Sequence, residues 1–220
     1  MSKSKGNIVD PDGIIKKYGA DTLRLYILFA GPPETEMEWN DRGIEGSSRF
    51  LNRVWRLVEQ KPGSGTPTKE EERRIHLAIK RVTDDIEKFH FNTAISAIME
   101  LVNFAYQAPP TKTMLEAIVM LLSPFTPHIC EEMWKSLGYK QSILKASWPK
   151  YNPDILKQKE AVIIVQINGK MRARLNLPVD LNEEKLKEIV LSEASVTKWI
   201  EDKPVKKFIV VPNKLANIVI

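Results

Sequence analysis

From about residue 44 to residue 137 the apolar side chains return every three or four positions. Phe50, Val54, Leu57 and Val58 form one stripe. Ile75, Ile79, Val82 and Ile86 form the next, followed by Ile95, Ile98, Met99, Val102 and Tyr106, and then by Leu115, Ile118, Val119 and Leu122. This spacing belongs to helices that turn one face to a shared core. It predicts helices over about 44–60, 69–88, from Asn92 to the Pro109-Pro110 break, 112–122 and 127–137. The breaks between them are short: Lys61 to Pro67, Pro109-Pro110, and Ser123-Pro124-Phe125-Thr126-Pro127. Short connections between amphipathic helices predict a bundle. Ahead of it, Asp10 and Pro11 read as an N-cap and first helical residue, with Gly19 as the stop. Asp21 caps a second helix, Thr22 to Phe29, which Gly31-Pro32-Pro33 breaks. Residues 34–43 read as acidic and irregular.

After Trp148-Pro149 the period changes. Residues 150–160 are polar and read as a linker. Ala161 to Ile167 is a β-rich run, Asn168-Gly169 is a hairpin turn signal, and Lys170 to Leu177 alternates. Residues 182–191 and 194–201 read as helices, Lys207 to Val211 as a strand and Leu215 to Ile220 as a last one. Apolar Ile218, Val219 and Ile220 predict that the final residues are docked or paired. The expected fold class is therefore a mainly α-helical bundle followed by a small α+β domain. Its divisions are a loop with connecting helices over 1–43, the bundle over 44–149, a linker over 150–160 and the tail over 161–220.

Composition narrows the function classes. A net charge of +5 permits nucleic-acid binding without demanding it. The single cysteine, Cys130, makes no internal disulfide, and the expected compartment is the cytoplasm. No apolar run reaches the roughly 18 residues of a membrane span, so no membrane partner is expected. His128 and Cys130 stand two apart, but a metal site needs more ligands, and none is expected. His128 reads as a helix-start residue with a structural hydrogen bond. His76 and His90 receive no role.

Three basic features carry candidate chemistry. Ser2-Lys3-Ser4-Lys5-Gly6 has no apolar anchor before Ile8 and reads as a mobile loop suited to closing over phosphates. Arg49, Arg53 and Arg56 fall at i, i+4 and i+7 beside the apolar stripe of the 44–60 helix. They read as contacts to RNA phosphates or as a solvated face with local acid partners. Lys170, Arg172 and Arg174 alternate along a strand, so they share one face, with Met171, Ala173 and Leu175 turned to the core. That face reads as an RNA contact or a solvated strand face.

Several segments carry a family resemblance. The Ser2–Ser4 loop, continued by Ile8-Val9-Asp10-Pro11 and Tyr18-Gly19-Ala20-Asp21, resembles the Lys-Met-Ser-Lys-Ser loop region of class I aminoacyl-tRNA synthetases, without the leading lysine. Ser123 to Trp134 resembles a segment in the anticodon-binding domains of the leucine, isoleucine and valine enzymes. Gly31 to Asp41, Gly43 to Gly46, Arg49 to Trp55, Val165 to Arg172 and Leu215 to Ile220 resemble the bacterial-type leucyl enzymes in particular. The resemblance implies the C-terminal portion of such an enzyme, inactive alone. Lys3 would be the catalytic contact to ATP phosphates, with Ser2 and Ser4 beside it. ATP with Mg2+, leucine and tRNA(Leu) are the implied partners of the complete enzyme. Its catalytic and editing domains would lie in the same chain or in a partner subunit. The family also implies that the tail touches the outer corner of the tRNA and that anticodon bases are not read. The competing expectations are a free-standing RNA-binding or scaffolding module derived from a synthetase, and the equivalent part of a valyl or isoleucyl enzyme.

Overall fold

Short polar side chains stand at most of the helix starts. A computed structural model describes residues 9–60, 62–63, 65–157, 160–179, 181–200 and 204–220. The chain divides into two compact units, residues 1–156 and 157–220. In the first, α1 (Pro11–Tyr18) starts where the Asp10 carboxylate accepts the Asp12 amide, and it ends at Gly19 with φ +87°. Next come α2 (Ala20–Ala30), α3 (Asp41–Glu59), α4 (Lys69–Glu87), α5 (Phe91–Ala105), α6 (Lys112–Leu122) and α7 (Pro127–Ser136). Asn40, Thr68 and Thr111 cap α3, α4 and α6 through side-chain oxygens that accept first-turn amides.

The predicted stripes meet in one core. Val54, Leu57, Ile79, Val82, Ile95, Ile98, Val102, Leu115, Ile118 and Leu122 are buried there together. Tyr106 is the exception. Its place in the α5 stripe predicts burial, yet it is 40% exposed, because α5 ends at Ala105. Glu71 is a buried carboxylate, which is costly unless donors surround it. Its Oε1 accepts both the backbone amide of Thr111 at 3.1 Å and the Thr111 hydroxyl at 2.6 Å. That pair ties the start of α6 to α4.

α3 begins three residues before the expected position. Gly43 and Gly46 lower helix propensity, and that hides the first turn. The structural reason for Gly43 is Tyr26. A Cβ at position 43 would stand 2.6 Å from the Tyr26 ring. That ring is buried, meets Trp39 edge-on at 5.0 Å, and its hydroxyl accepts the Asn40 amide at 2.8 Å. Residues 36–40 have no regular structure, as expected, but these contacts hold them down.

The linker expected over 150–160 is shorter. Trp148 donates its indole N–H to Thr83 Oγ1 at 2.9 Å, and the Asn152 amide donates to His76 Nδ1 at 3.1 Å. Residues 148–152 thus run along α4 and lead into a one-turn helix, α8 (Pro153–Leu156), that belongs to the first unit. Polar composition and Pro153 disguise this strap.

The second unit holds β1 (Glu160–Ile167), β2 (Lys170–Pro178), α9 (Glu183–Ser192), α10 (Ala194–Ile200), β3 (Lys207–Val211) and β4 (Leu215–Val219). The sheet order is β2-β1-β4-β3, with β1 and β4 parallel and the other pairs antiparallel. Asn168 and Gly169 have φ +49° and +77°, the positive values that a two-residue hairpin turn of the I′ kind requires. Ile163, Val165 and Ile167 of β1 and Ala216 and Ile218 of β4 bury against Leu186, Val190 and Val196 of the two helices. The final residues are paired, as expected, since β4 is an inner strand.

The two glycines of α3 should respond oppositely to alanine. Gly43→Ala drives a methyl group into a fixed ring and should lower unfolding free energy by about 1–3 kcal/mol. Gly46 has nothing nearer than an arginine side-chain nitrogen at 4.0 Å. Gly46→Ala should therefore raise stability by about 0.5–1 kcal/mol. Urea titrations of both variants check this, and equal effects would remove Tyr26 as the reason for Gly43.

Candidate nucleic-acid interface

Ser2, Lys3 and Ser4 lie outside the described residues. The first basic surface that the structure describes is on α3. Arg49, Arg53 and Arg56 are all exposed there. Among the described residues none of the three has a carboxylate partner, whereas Arg74, Lys80, Arg81, Lys112 and Lys135 each pair with an acid. Arg53 is oriented by neutral groups. It donates to Asn103 Oδ1 at 2.9 Å and lies over the Tyr106 ring at 5.0 Å, while the Tyr106 hydroxyl donates to the Arg53 carbonyl at 2.7 Å. Arg49 and Arg53 line a groove of about 460 Å³ with Phe29, Met99 and Asn103. The Arg53 charge is thus held in place, and no described carboxylate cancels any of the three, which suits contact with a polyanion.

Charge is unevenly divided between the units. Residues 157–220 carry twelve Lys and Arg against eight Asp and Glu, so they hold +4 of the chain's +5. The first unit is close to neutral. Its α3 arginines form a local feature, whereas the tail is basic as a whole.

The tail stripe differs from expectation. Strict alternation puts Lys170, Arg172 and Arg174 on one face, but the pairing shifts between Val165 and Gln166. Gln166 pairs with Met171 and Val165 with Ala173, so Arg172 is an extra residue in a bulge. Directly paired residues share a face. Arg174 pairs with Ile164, and Ala173 with the buried Val165, so Arg174 lies opposite the core face. Arg172 instead turns toward α10, where its guanidinium carbon is 3.5 Å from the Trp199 ring centroid. Met171, expected toward the core, is 52% exposed for the same reason. Lys170 and Arg174 remain exposed, and Arg172 is half-buried. Ala173 and Leu175 face the core as expected.

His128 makes the structural hydrogen bond expected of it. Its Nδ1 lies 2.8 Å from Asp21 Oδ1, and the Ile129 amide donates to Asp21 Oδ2 at 2.7 Å. Cys130 points the other way, fully buried, with its Sγ 3.4 Å from Thr126 Oγ1. The two residues diverge and share no ligand. Among the described residues no group of three His, Cys, Asp or Glu side chains is placed to hold a metal ion. No described helix is long and apolar enough to cross a membrane. Sequence reasoning missed Asn103, Tyr106 and Trp199 as members of the basic surfaces. The one available signal was Trp199, an indole on the polar side of a short helix.

This arrangement, a helical bundle with an unpaired arginine stripe joined to a basic α+β unit, has known relatives. A family model described as the anticodon-binding domain of tRNA ligase matches residues 69–189, and the chain belongs to that family. A second model, for class I tRNA synthetases specific for I, L, M and V, matches residues 1–40. The leucine–tRNA ligase of Syntrophobacter fumaroxidans is 45% identical across the whole chain, which covers 30% of that protein. Those of Desulfatibacillum aliphaticivorans and Pseudothermotoga lettingae are 44% and 46% identical, with 28% and 29% of their lengths covered. The chain thus spans about three tenths of these relatives and matches their C-terminal part. A crystal structure of the ternary complex of Agrobacterium radiobacter K84 agnB2 LeuRS with tRNA and LeuAMS aligns with a TM-score of 0.78 at 35% identity, covering 100% of this chain and 31% of that one.

Burial pushes the Cys130 thiol up to about 12, with a smaller opposing effect from the Thr126 hydroxyl. The nucleophilic thiolate is therefore absent in the folded protein at ordinary pH. Iodoacetamide at pH 8 should leave Cys130 unmodified until urea unfolds the bundle. The raised value also fixes a sign. The unfolded thiol ionises near pH 9 and the folded one near 12. The stability this group contributes is present below pH 9 and is lost as pH rises from there toward 12. Native alkylation at pH 8 at the rate of the unfolded chain would contradict the burial.

Proposed function

We propose that this chain is the C-terminal part of a leucine–tRNA ligase and that it supplies tRNA binding to the ATP-dependent leucylation of tRNA(Leu). The observation that carries the reading is the full-length match to the C-terminal part of leucine–tRNA ligases, together with unpaired cations on α3 and a basic tail. These relatives are leucine enzymes, which favours leucine over valine or isoleucine. On this reading Arg49, Arg53 and Arg56, and separately Lys170 and Arg174, contact phosphates. Such contacts position RNA without reading bases. Arg172 contributes through Trp199. The anticodon sequence then matters little. The remaining parts of the enzyme, with ATP, Mg2+ and leucine, are the other partners. These 220 residues alone do not form the adenylate.

Lys3, with Ser2 and Ser4, is the proposed contact to ATP in the complete enzyme. A flexible cation there would meet negative charge as it grows on the phosphoryl oxygens. Mg2+ would arrive with ATP to neutralise phosphate charge. In an enzyme that joins these residues to their nucleotide-binding portion, Lys3→Ala should lower the adenylation rate by roughly two orders of magnitude or more. Leucine affinity should change little, because the lysine acts mainly in the transition state. Pre-steady-state adenylate formation measures both quantities, and an unchanged rate removes Lys3 from the site.

For RNA, the 220-residue chain should bind tRNA with an affinity that falls steeply with salt. Replacing Arg49, Arg53 and Arg56 by glutamine should flatten the slope of log K against log salt by about 0.7–0.9 for each phosphate that is no longer neutralised. The weakening should be equal for tRNAs that differ only in the anticodon. Lys170→Gln with Arg174→Gln should act in the same way. Filter binding across a salt series provides the measurement. Slopes identical to the unsubstituted chain would leave both groups as solvated surface.

A further inference from the structure

Trp199 is 46% exposed on α10, a seven-residue helix whose inner side is supplied by Val196 and Ile200. The indole therefore adds little to the core. One of its ring faces is covered by the guanidinium of Arg172 at 3.5 Å. The bulge in β2 brings Arg172 there, since without the extra residue alternation would continue unbroken past it. The Arg172 Nε is buried with no hydrogen-bond partner among the described residues, and no described carboxylate pairs with the group. The guanidinium is thus held by a ring and keeps its charge. Exposed Lys198 adjoins Trp199 in sequence, and exposed Lys170 precedes the bulge. The unit around them holds +4 of the chain's net charge of +5.

We propose that Trp199, backed by Arg172, is a stacking platform for an unpaired base of RNA. The inference rests on the tRNA-binding reading and adds to it an interaction of a different kind. Lysines and arginines alone would attract any RNA backbone, duplex or not. A half-open indole with a cation behind it offers a π-face that a base already stacked on both sides inside a duplex cannot cover. Base stacking on aromatic rings is tolerant of base identity. The platform would therefore prefer exposed loop bases without specifying a sequence.

The test uses the 220-residue chain with Trp199→Leu and Trp199→Tyr, and two probes: an unmodified tRNA(Leu) transcript and a blunt RNA duplex of matched length. Trp199→Leu should lower affinity for the transcript about tenfold, within the range of one base–aromatic stack. Trp199→Tyr should stay within about twofold of the unsubstituted chain, because a phenol ring still stacks. The slope of log K against log salt should not change with either variant, since every phosphate-binding cation stays in place. Affinity for the blunt duplex should be unaffected. Thermal unfolding of both variants separates lost binding from lost folding. An unchanged transcript affinity for the leucine variant overturns the platform and leaves the tRNA reading standing. So does equal weakening by leucine and tyrosine, an equal loss on the blunt duplex, or a flattened slope. If the unsubstituted chain binds neither RNA at low salt, the tRNA reading falls and the platform falls with it.

Discussion

The carboxylate of Asp21 is the point on which the larger unit turns. It is buried, and a buried carboxylate is tolerated only when donors replace the water it has lost. The Ile129 amide at the start of α7 and the His128 ring supply two such donors. One turn further along α2, Arg24 donates to the Phe125 and Pro124 carbonyls at 3.2 Å. The bend between α6 and α7 contains two prolines, which have no amide to give. It therefore makes its outside contacts through carbonyls and through the Ile129 amide in the first turn of α7. Asp21 and Arg24, three residues apart on one helix face, satisfy both kinds of group. These polar groups add to the packing of α2, whose Leu25 is buried in the bundle core, and α3, with its arginines, packs beside α2.

Much of this is legible because helices write a period of three to four into the sequence. The stripes from Phe50 to Leu122 and the cap at Asp10 point to elements that form, whereas Asp21, expected to cap α2, lies inside that helix because its carboxylate bonds to α7 instead. What the sequence conceals has physical causes. The first turn of α3 is hidden by Gly43, whose purpose is visible only when the Tyr26 ring is seen against it. The strap at 148–152 is hidden because its partners, Thr83 and His76, lie about seventy positions away and make single hydrogen bonds instead of an apolar pattern. The arginine stripe on α3 is readable as a stripe. Its freedom from acid partners is not, since that depends on which neighbours the bundle brings near.

The tail shows the opposite sensitivity. A strand carries a period of two, so one extra residue reverses the face of everything beyond it. Lys170, Arg172 and Arg174 alternate without fault in the sequence, and nothing in their spacing betrays the bulge. Its signature is the partner strand, where Gln166 meets Met171 and Val165 meets Ala173. Basic residues that look like one surface are thereby distributed to two, and Arg172 is drawn onto an indole.

The turn at Asn168-Gly169 has a bearing on how the protein ages. In a free peptide this dipeptide is a weak link. The glycine nitrogen attacks the neighbouring side-chain amide, ammonia leaves, and the resulting ring opens to aspartate or isoaspartate. Here both reacting groups are occupied. The Gly169 amide donates to Asn217 Oδ1 at 3.2 Å, and Asn168 Oδ1 accepts the Ile220 amide at 3.2 Å. Cyclisation has to wait until the end of the sheet opens and both bonds break. The chemical clock of this asparagine is thus set by the breathing of β4 against β1, and the side chain that ties down the chain's last residue also guards its own amide from decay.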